Sequence, residues 1–485
     1  MDIFAVFIVL IWLVRIGANL ITYIQLWFVK EYRFDRMYIH LGTQQGKLIL
    51  FPKFRRPPLS FKTMALFWFS SITLFILLFF LPVRWFIAFF LVDLLTFPVT
   101  AVWVGILKLP TLIYHEYLIR LATQKLRTYP PKIVIGITGS YGKTTTKEFA
   151  ATLLGKKFTV LKTEASKNSP IAIAELVLKK LSHNVDVMIV EMGAYKRGEI
   201  ARMADMVKPQ IGIVTAINSQ HQDLFKSIET TVDAKYELID HLVSKKIAIF
   251  NADNTFCKQM ADRAISTRTV WLYSSHSHNP TQVHMYAEKI QATTQGLEFN
   301  VIWNKKHFPV KTNVKGLHQV GNIVAAFSLA IASGMDLKDC IAAAKELEQP
   351  AHTLQTLKGI QGTTIIDDTF NNNPDAALAA LEYLRLFKGK KILVFQPMIE
   401  LGKYSEEAHK KVGQKAAEIC DSIYLTNDNF NDYFTSGITS IEYKQKVHTL
   451  STNRILKELR QTVNEKSIVL CKGKETWGIV NGLLR

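Results

Sequence analysis

The chain has 485 residues, of which 48% are hydrophobic and 20% are charged, and its formal net charge is +19. This composition excludes a disordered chain, because it supplies enough apolar surface for a core, and its long stretches of ordinary polar composition exclude a protein made only of membrane spans. The four cysteines form no C-x-x-C pair, which argues against a disulfide scaffold or a cysteine-ligated zinc site and fits a reducing compartment.

The basic excess is concentrated near the N-terminus. Residues 1–132 contain 15 Lys or Arg and 5 Asp or Glu, a net of +10 in little more than a quarter of the chain. These charges lie beside long apolar runs, which is typical of contact with a membrane surface rather than with nucleic acid. We therefore expect membrane lipid as a partner and no nucleic acid.

Three apolar runs, at residues 3–29, 63–81 and 85–107, predict transmembrane helices. Each run is long enough to cross the roughly 30 Å hydrocarbon core of a bilayer. The basic loop between the first two runs is expected in the cytoplasm by the positive-inside rule. Three crossings, followed by an interfacial helix and linker over residues 115–131, then leave the rest of the chain in the cytoplasm. The expected location is the cell membrane, as a multi-pass protein with cytoplasmic catalytic domains.

A phosphate-binding loop is predicted after the next apolar run. Residues 132–138 are rich in β-branched side chains and precede a glycine-rich turn and a helix. In such a turn the backbone N–H groups curl round phosphates, and the helix N-terminus adds a favourable field. Lys143 would reach the terminal phosphates and Thr144 would hold Mg²⁺, although the spacing is shorter than the usual G-x-x-x-x-G-K-[ST]. The predicted nucleotide-binding loop consists of Gly139, Ser140, Tyr141, Gly142, Lys143, Thr144 and Thr145.

Further strands are predicted at residues 186–191, 211–218 and 245–251, alternating with helices in an α/β fold. Glu191 would lie at the carboxyl end of the first of these strands, where ligands of open α/β sheets gather. A carboxylate at this position can bind the Mg²⁺ of a nucleotide. The alternative for Glu191 taken alone is a solvated glutamate at a strand end.

Five motifs follow one another in a fixed order along the chain. They are T-G-S-Y-G-K-T-T at 138–145, E-M-G-A at 191–194 with G-E-I at 198–200, D-A-K-Y-E at 233–237, G-x-H-x-x-x-N at 316–322 and D-D-T-F-N-N-N-P at 367–374. Together they resemble the Mur ligases, which build the peptide of peptidoglycan. The second and fifth motifs are most similar to those of the member that adds D-alanyl-D-alanine. The resemblance covers about residues 131–485.

The resemblance implies a division of the chain into three parts. Residues 1–131 would form the transmembrane module, residues 132–348 the central ATP-binding domain and residues 349–485 a Rossmann-like C-terminal domain. An antiparallel patch is expected at residues 283–314 within the central domain. The alternation of apolar runs and helical patterns after residue 349 supports the last domain independently, with strands expected at 363–367, 391–395, 421–425 and 467–471.

The activity implied by the resemblance is ATP-dependent peptide-bond formation. ATP would phosphorylate a substrate carboxylate to an acyl phosphate, and an amine would then displace the phosphate. Lys143, with Mg²⁺ on Thr144 and Glu191, would neutralise the phosphoryl oxygens. A second Mg²⁺ would use His221 and a carbamylated Lys235, although by spacing alone a loop histidine and a surface lysine are the commoner interpretations.

The remaining candidate residues also follow from the resemblance. Asn251, Asn322 and His318 are expected near the adenine. Asp368, Asn371 and Asn373 are expected near the amine substrate. The partners would be a carboxylate-bearing peptide precursor, UDP-linked or lipid-linked, and an amino acid or dipeptide.

The chain departs from the family pattern in four places. Apolar helices occupy the region where the family has its UDP-binding domain. The usual Gly-Arg pair, whose Arg approaches the γ-phosphate, is replaced by P-A-H at 350–352. The usual L-G-D-M becomes F-Q-P-M at 395–398, and the late K-G-S reads K-G-K at 472–474. These changes affect the expected substrate more than the expected reaction type.

Three functions therefore compete. The first is a membrane-anchored ligase that adds D-alanyl-D-alanine or a similar amine to a cell-wall precursor, and the D-D-T-F-N-N-N-P stretch favours it. The second is a membrane-bound ligase that makes another polymer, such as poly-γ-glutamate. The third is a non-enzymatic scaffold with a degenerate nucleotide fold, which the intact Gly142-Lys143-Thr144 argues against.

Overall fold

The structure is a computed structural model that describes residues 3–42, 49–50, 52–165, 167–194, 196–218, 228–243, 247–276, 283–370, 372–398, 401–439 and 447–484. Two candidate site residues, His221 and Asn371, lie outside the described residues. The chain divides into two compact units, Met1–Tyr117 and Leu118–Arg485.

The N-terminal unit is helical. Its helices are α1 Ile3–Val29, α2 Phe34–Leu41, α3 Phe61–Phe80 and α4 Trp85–Ile106, and α5 Lys108–Thr128 runs on into the second unit. Three helical stretches, Val6–Val29, Phe61–Phe80 and Trp85–Thr128, are long and apolar enough to cross a membrane, by length and composition only. Within the unit, Arg15 Nε donates to Asp93 Oδ2 at 2.8 Å, and Asn19 Nδ2 donates to the other carboxylate oxygen at 2.9 Å.

Among the described residues, the first sheet of the second unit has nine strands. They are β1 Ile133–Thr138, β2 Val160–Lys162, β3 Val187–Glu191, β4 Ile211–Val214, β5 Ile247–Asn251, β6 Thr269–Ser274, β7 Met285–Ala292, β8 Leu297–Trp303 and β9 Lys306–Thr312. Their order is β2-β3-β1-β4-β5-β6-β7-β8-β9. The pairs from β2 to β7 are parallel, whereas β7, β8 and β9 pair antiparallel, which confirms the antiparallel patch expected at residues 283–314.

Helices cover both faces of this sheet. They are α6 Lys143–Leu154, α7 Pro170–Lys180, α8 Glu199–Val207, α9 Ile228–Asp240, α10 Thr255–Ala264, α11 Gln319–Ala332 and α12 Leu337–Ala343. One buried layer joins α6 and α11, for example through Phe149 and Phe327. The other joins α7, α8 and α9, with Ile173, Met203 and Leu238 fully buried. Two covered faces are the usual arrangement for a parallel sheet, because its strands are apolar on both sides.

Among the described residues, the second sheet has six strands, and it positions the second group of candidate site residues. They are β10 Gln355–Lys358, β11 Thr364–Asp368, β12 Lys390–Phe395, β13 Ser422–Leu425, β14 Val447–Thr449 and β15 Ser467–Lys472, with helices α13 Pro374–Arg385, α14 Ser405–Ile419, α15 Asn431–Thr439, α16 Thr452–Thr462 and α17 Trp477–Leu484. The order is β10-β11-β15-β12-β13-β14. Except for the antiparallel β10, the strands are parallel, so the carboxyl ends of β11, β15 and β12 meet at one edge.

The α/β fold with two successive sheets is as predicted, and most predicted strands are found within about two residues. The strand expected at 211–218 is shorter, because it ends at Val214 and residues 215–218 turn to hold the neighbouring glycine-rich loop. The interfacial helix expected within residues 115–131, before a linker, begins earlier, at Lys108, and ends at Thr128. The strands β2, β6, β10 and β14 were not anticipated.

Candidate active site

The glycine-rich loop between β1 and α6 depends on two glycines. Gly139 has φ of +148° and Gly142 has φ of +80°, conformations that residues with a Cβ rarely adopt. A Cβ on Gly139 would lie 2.1 Å from Oγ1 of Thr215, and one on Gly142 would lie 2.6 Å from Oδ1 of Asn322. The loop therefore leaves no space for a side chain at either position.

The loop is held in place by the end of β4. Ser140 N donates to the carbonyl oxygen of Ala216 at 2.7 Å, and Asn218 N donates to Ser140 Oγ at 3.2 Å. Thr215 Oγ1 donates to the carbonyl oxygen of Tyr141. These bonds fix the loop before any ligand binds, so its backbone N–H groups are pre-arranged for an anion.

Lys143 lies at the first position of α6 and supplies a partly buried positive charge. Its Nζ donates to the carbonyl oxygen of Gly139 at 2.8 Å, and within the described part of the chain it forms no ion pair. Partial burial lowers the pKa of Lys143, and the nearby Glu191 carboxylate opposes this. An ammonium bonded to carbonyl oxygens of its own loop would gain a counter-ion when phosphate binds.

Glu191 lies at the carboxyl end of β3, where it pairs in register with Ile137. It is 1% exposed, and Thr144 Oγ1 donates to its Oε2 at 2.9 Å. Asn168 Nδ2 donates to Oε1 at 3.0 Å. Mg²⁺ prefers such hard oxygen ligands, so the adjacent hydroxyl and carboxylate fit this ion.

Lys147 is a residue of this site that the sequence analysis missed. Its side chain is fully buried, and Nζ lies 3.2 Å from Glu191 Oε2. It follows Lys143 by four residues, which places both side chains on one face of α6. That spacing is the signal that could have identified it.

Lys235 lies on α9 and is 5% exposed. Burial, followed by the positive charge of Lys143, lowers the pKa of Lys235 to about 7. The charge effect shows that Lys235 lies near the phosphate loop. No group of three or more His, Cys, Asp or Glu side chains gathers into a metal site among the residues that the structure describes, and His221 is not one of those residues.

The three residues expected near adenine differ in the contacts of their side chains. Asn322 lies against the loop, where its Oδ1 accepts from Thr146 Oγ1 at 3.4 Å. His318 lies beside it through the side chain of Gln319, which bonds to both. Asn251 instead uses its side-chain amide inside the fold, because Nδ2 donates to the carbonyl oxygen of Thr215 at 2.9 Å.

The second sheet contributes a buried ion pair. Asp368 and Lys472 lie opposite each other in the β11–β15 register, and Lys472 Nζ donates to Asp368 Oδ2 at 2.7 Å. Burial raises the pKa of Asp368, and the Lys472 charge opposes the rise. Asn373 is also buried, but its Oδ1 caps α13 by accepting from Ala376 N at 2.9 Å. This bond gives Asn373 a structural role, and its contact with substrate stays a prediction.

A histidine–aspartate pair lies next to this ion pair. His352 Nδ1 is 2.8 Å from Oδ2 of Asp367, a buried carboxylate that also accepts from the Thr369 hydroxyl at 2.7 Å. Since the carboxylate can only accept, the Nδ1–H of His352 donates. From the sequence, His352 was noted only as a replacement for Arg. Its pairing with Asp367 depends on the β10–β11 register rather than on local spacing.

A charge from the second sheet affects the phosphate loop, because the carboxylate of Asp375 contributes, after burial, to raising the pKa of Tyr141. The first sheet offers a glycine-rich loop for a nucleotide, and the second offers a buried ion pair at the carboxyl end of its central strands.

Comparison with known proteins gives a family match over both sheets. Residues 137–330 match the Mur ligase middle domain, and residues 354–475 match the glutamate ligase domain of Mur ligases. The chain is 30% identical over 376 residues to the UDP-N-acetylmuramoyl-tripeptide–D-alanyl-D-alanine ligase of Escherichia coli (strain K12), covering 76% of this chain and 80% of the relative. It is 32% identical over 312 residues to the Synechocystis sp. protein of the same name, covering 64% of this chain and 65% of that one.

Solved structures show the same fold. The chain is similar to MurF from Acinetobacter baumannii, with a TM-score of 0.68 and 24% identity over 76% of this chain and 80% of that one. It is also similar to the MurF ligase from Thermotoga maritima in complex with ADP, with a TM-score of 0.65 and 24% identity over 76% of this chain and 82% of that one.

These comparisons correct the expected location. The prediction of a multi-pass protein of the cell membrane is wrong, because the relatives of this chain are soluble cytoplasmic enzymes. Membrane lipid as a partner is likewise unsupported, and so is another polymer, such as poly-γ-glutamate, as the product. The prediction rested on apolar helices whose length and composition show only that they could span a bilayer.

Proposed function

Because the chain belongs to the Mur ligase family of ATP-dependent ligases, which use ATP and Mg²⁺, we propose that it joins D-alanyl-D-alanine to the tripeptide of a UDP-N-acetylmuramoyl precursor. The observation that carries this proposal is the group formed by Lys143, Thr144 and the buried Glu191 beside the glycine-rich loop. The names of the relatives support the choice of substrates.

In the first step, a terminal carboxylate oxygen of the tripeptide attacks the γ-phosphorus of ATP, and ADP leaves. The product is an acyl phosphate. The loop N–H groups and Lys143 hold the phosphate oxygens and neutralise their charge in a buried site. Thr144 and Glu191 would hold Mg²⁺, which supplies further positive charge to those oxygens.

In the second step, the neutral amine of the dipeptide attacks the carbonyl carbon of the acyl phosphate. Phosphate leaves, the amine nitrogen loses a proton, and an amide bond remains. Asp368, Asn371 and Asn373 are proposed to bind the dipeptide. Asp368 lies at the carboxyl end of β11, the kind of edge where α/β sheets bind ligands, which supports this assignment.

We also propose that Lys235 is carbamylated and shares a second Mg²⁺ with His221. The lowered pKa of Lys235 supports the modification, because a neutral amine is the form that reacts with carbon dioxide. The modification would replace a cation, which Mg²⁺ repels, by an anionic oxygen ligand. Adenine contacts by Asn322, His318 and Asn251, and the division of the chain at residues 131–132 and 348–349, are proposals on the same footing.

The test is a measurement of ADP release and product mass with defined substrates. ADP should be released when UDP-N-acetylmuramoyl-tripeptide and D-alanyl-D-alanine are both present, and the product mass should equal their sum less one water. Either substrate alone and L-alanyl-L-alanine serve as controls. Release driven by L-glutamate and a glutamate polymer would contradict the proposal.

A further inference from the structure

A pocket at the edge of the second sheet has no role in the steps above. It is lined by His352, Thr369, Phe370, Lys474 and Trp477. These residues come from the segment before β10, the loop after β11, the turn after β15 and the start of α17. The pocket therefore lies beside Asp368 and Lys472, at the carboxyl ends of the central strands, where α/β sheets bind ligands.

The walls of the pocket are held in place by hydrogen bonds. Phe370 N donates to the carbonyl oxygen of His352 at 3.0 Å, which joins two of its walls. The turn that carries Lys474 is fixed at both ends, since Glu475 N donates to Gln396 Oε1 at 3.0 Å and Thr476 Oγ1 donates to the carbonyl oxygen of Gly473 at 2.8 Å. A pocket with fixed walls loses little entropy when a ligand enters.

Two aromatic side chains of the pocket are exposed. Phe370 is 42% exposed and Trp477 is 51% exposed, and the His352 ring meets the Trp477 ring edge-on at 6.5 Å. Grouped exposed aromatic rings around a concave site mark a place where apolar atoms bind. They suit a ligand with methyl groups better than one made only of charged oxygens.

Lys474 gives the pocket its charge. Its ammonium forms no ion pair or hydrogen bond within the described ranges, whereas Lys472 is paired with Asp368 and Glu475 accepts from Thr426 at 2.7 Å. No acidic residue lines the pocket. An uncompensated cation between apolar walls favours a ligand with one negative charge.

We propose that this pocket binds the free carboxylate of the incoming dipeptide, with Lys474 as its counter-ion and with Phe370 and Trp477 against the adjacent methyl group. This inference rests on the proposed function, in which the amine of the dipeptide reacts and its carboxylate stays free. The phosphates of ATP are a poorer match, because the glycine-rich loop already offers them backbone N–H groups and Lys143. Lys474 stands where the family pattern has Ser, so this contact would be particular to the chain.

The test compares Lys474→Met with Lys474→Arg, and with Lys411→Met as a matched control. Lys411 lies on α14 and forms only an exposed pair with Glu407, at 2.6 Å. Loss of a charge-assisted bond should raise the KM for D-alanyl-D-alanine about tenfold or more in Lys474→Met, with the KM for ATP unchanged. Lys474→Arg should stay within about threefold of the wild type, because it keeps the charge.

A second arm uses D-alanyl-D-alaninamide, which lacks the carboxylate. The wild-type protein should prefer the acid over the amide by about tenfold in kcat/KM, and Lys474→Met should lose this preference. Equal KM values for the dipeptide in wild type and Lys474→Met would overturn the proposal, and so would a rise confined to the KM for ATP. Failure of the proposed function looks different, because wild type and Lys411→Met would then both release no ADP with D-alanyl-D-alanine.

Discussion

Lys143 is partly buried and Lys235 is buried, and the charge of Lys143 contributes to lowering the pKa of Lys235. Burial lowers the pKa of both, and within the described residues neither forms an ion pair. Uncompensated buried charge is unfavourable unless a counter-ion arrives. The free protein thus keeps a positively charged site that a triphosphate would neutralise.

Lys143→Ala should abolish ATP turnover and leave the fold intact, because its Nζ bonds only to carbonyl oxygens of its own loop. ADP release would be measured together with the urea midpoint of unfolding. The control is Lys208→Ala, which removes an exposed pair with Asp205 and should change neither quantity. Turnover at the wild-type rate in Lys143→Ala would refute its contact with phosphate.

Activity should fall as the pH decreases through about 7, if Lys235 must be neutral to take up carbon dioxide. Its pKa of about 7 means that the reactive amine becomes scarce below that pH. Lys235→Ala should be inactive, and added acetate should restore part of the activity by filling the vacant ligand position. The checks are the pH profile of kcat/KM and a ¹³C NMR carbamate signal in labelled bicarbonate.

The pH dependence of the stability of the unmodified protein tests independently whether the pKa of Lys235 is lowered. The folded-state pKa of Lys235 lies below its value of 10.5 in the unfolded chain, so the unfolded chain binds more protons between these limits. The penalty for burying this ammonium is therefore fully present below about pH 7 and disappears as the pH rises to 10.5. At pH 6, the unfolding free energy of Lys235→Met should be larger than that of the wild type measured without carbonate. At pH 9, the difference between the two should be smaller. A margin independent of pH would contradict the lowered pKa.

At the scale of elements, β11 and β15 are joined by the buried pair of Asp368 and Lys472 at equivalent ends of the two strands. Lys472→Met should lower the unfolding free energy by about 3–5 kcal/mol at pH 8, because it leaves a carboxylate buried without its partner. The loss should be smaller at pH 5, since burial already raises the pKa of Asp368 and protonation removes the charge. Urea unfolding at the two pH values provides the measurement.

The control for this prediction is again Lys411→Met, which removes an exposed pair at helical spacing. Such pairs contribute about 0.5 kcal/mol or less. If the two variants lost similar stability, the Asp368–Lys472 pair would not be the link between these strands.

Strand and loop signals in the sequence predicted the elements that carry the site. The β-branched run before Gly139 lies where expected, whereas the helix after the glycine-rich turn begins at Lys143, four residues earlier than the expected start near Lys147. The short strands β2, β10 and β14 were not predicted, because three or four residues are too few to show an alternation of apolar and polar side chains. They form by pairing with neighbours that are distant in sequence.

The pairing of His352 with Asp367 and the burial of Lys147 were also invisible in the sequence. A carboxylate fifteen residues away becomes a partner only once β10 and β11 pair. A lysine in a helix is normally solvated, and only the packed structure shows Lys147 against Glu191. The roles of the residues selected through motifs stay predictions, and residues that act through tertiary contact gave no signal in the sequence.

At the scale of the whole molecule, motifs and hydropathy had different value as predictors. Five motifs in order identified the family, because their joint spacing over residues 138–374 has little chance of arising otherwise. Hydropathy located the long N-terminal helices correctly, but the cellular location predicted from it was wrong. Helix length and apolar composition show that a helix could span a bilayer, but they do not determine the cellular location of the protein.

The chain divides into its two compact units between Tyr117 and Leu118, whereas the proposed division, taken from the family resemblance, lies at residues 131–132. The reason is α5, whose Ile119, Ala122 and Leu126 are buried in the same core layer as Val134. Lys125 Nζ adds a hydrogen bond of 2.8 Å to the carbonyl oxygen of Leu178. The second half of α5 is therefore part of the catalytic unit.

A protein that begins at Lys108 should consequently unfold at a higher urea concentration than one that begins at Lys132. Removing two large apolar side chains and an alanine from the core should lower the unfolding free energy by about 4 kcal/mol, at about 1.5–3 kcal/mol for each large side chain. Leu126→Ala in the longer protein should reproduce about half of this loss, whereas Thr128→Ala, at an exposed hydrogen bond, should change little. Equal midpoints for the two proteins would show that α5 is an appendage, because a helix that contributes to the core cannot be removed without exposing the apolar surface it covers.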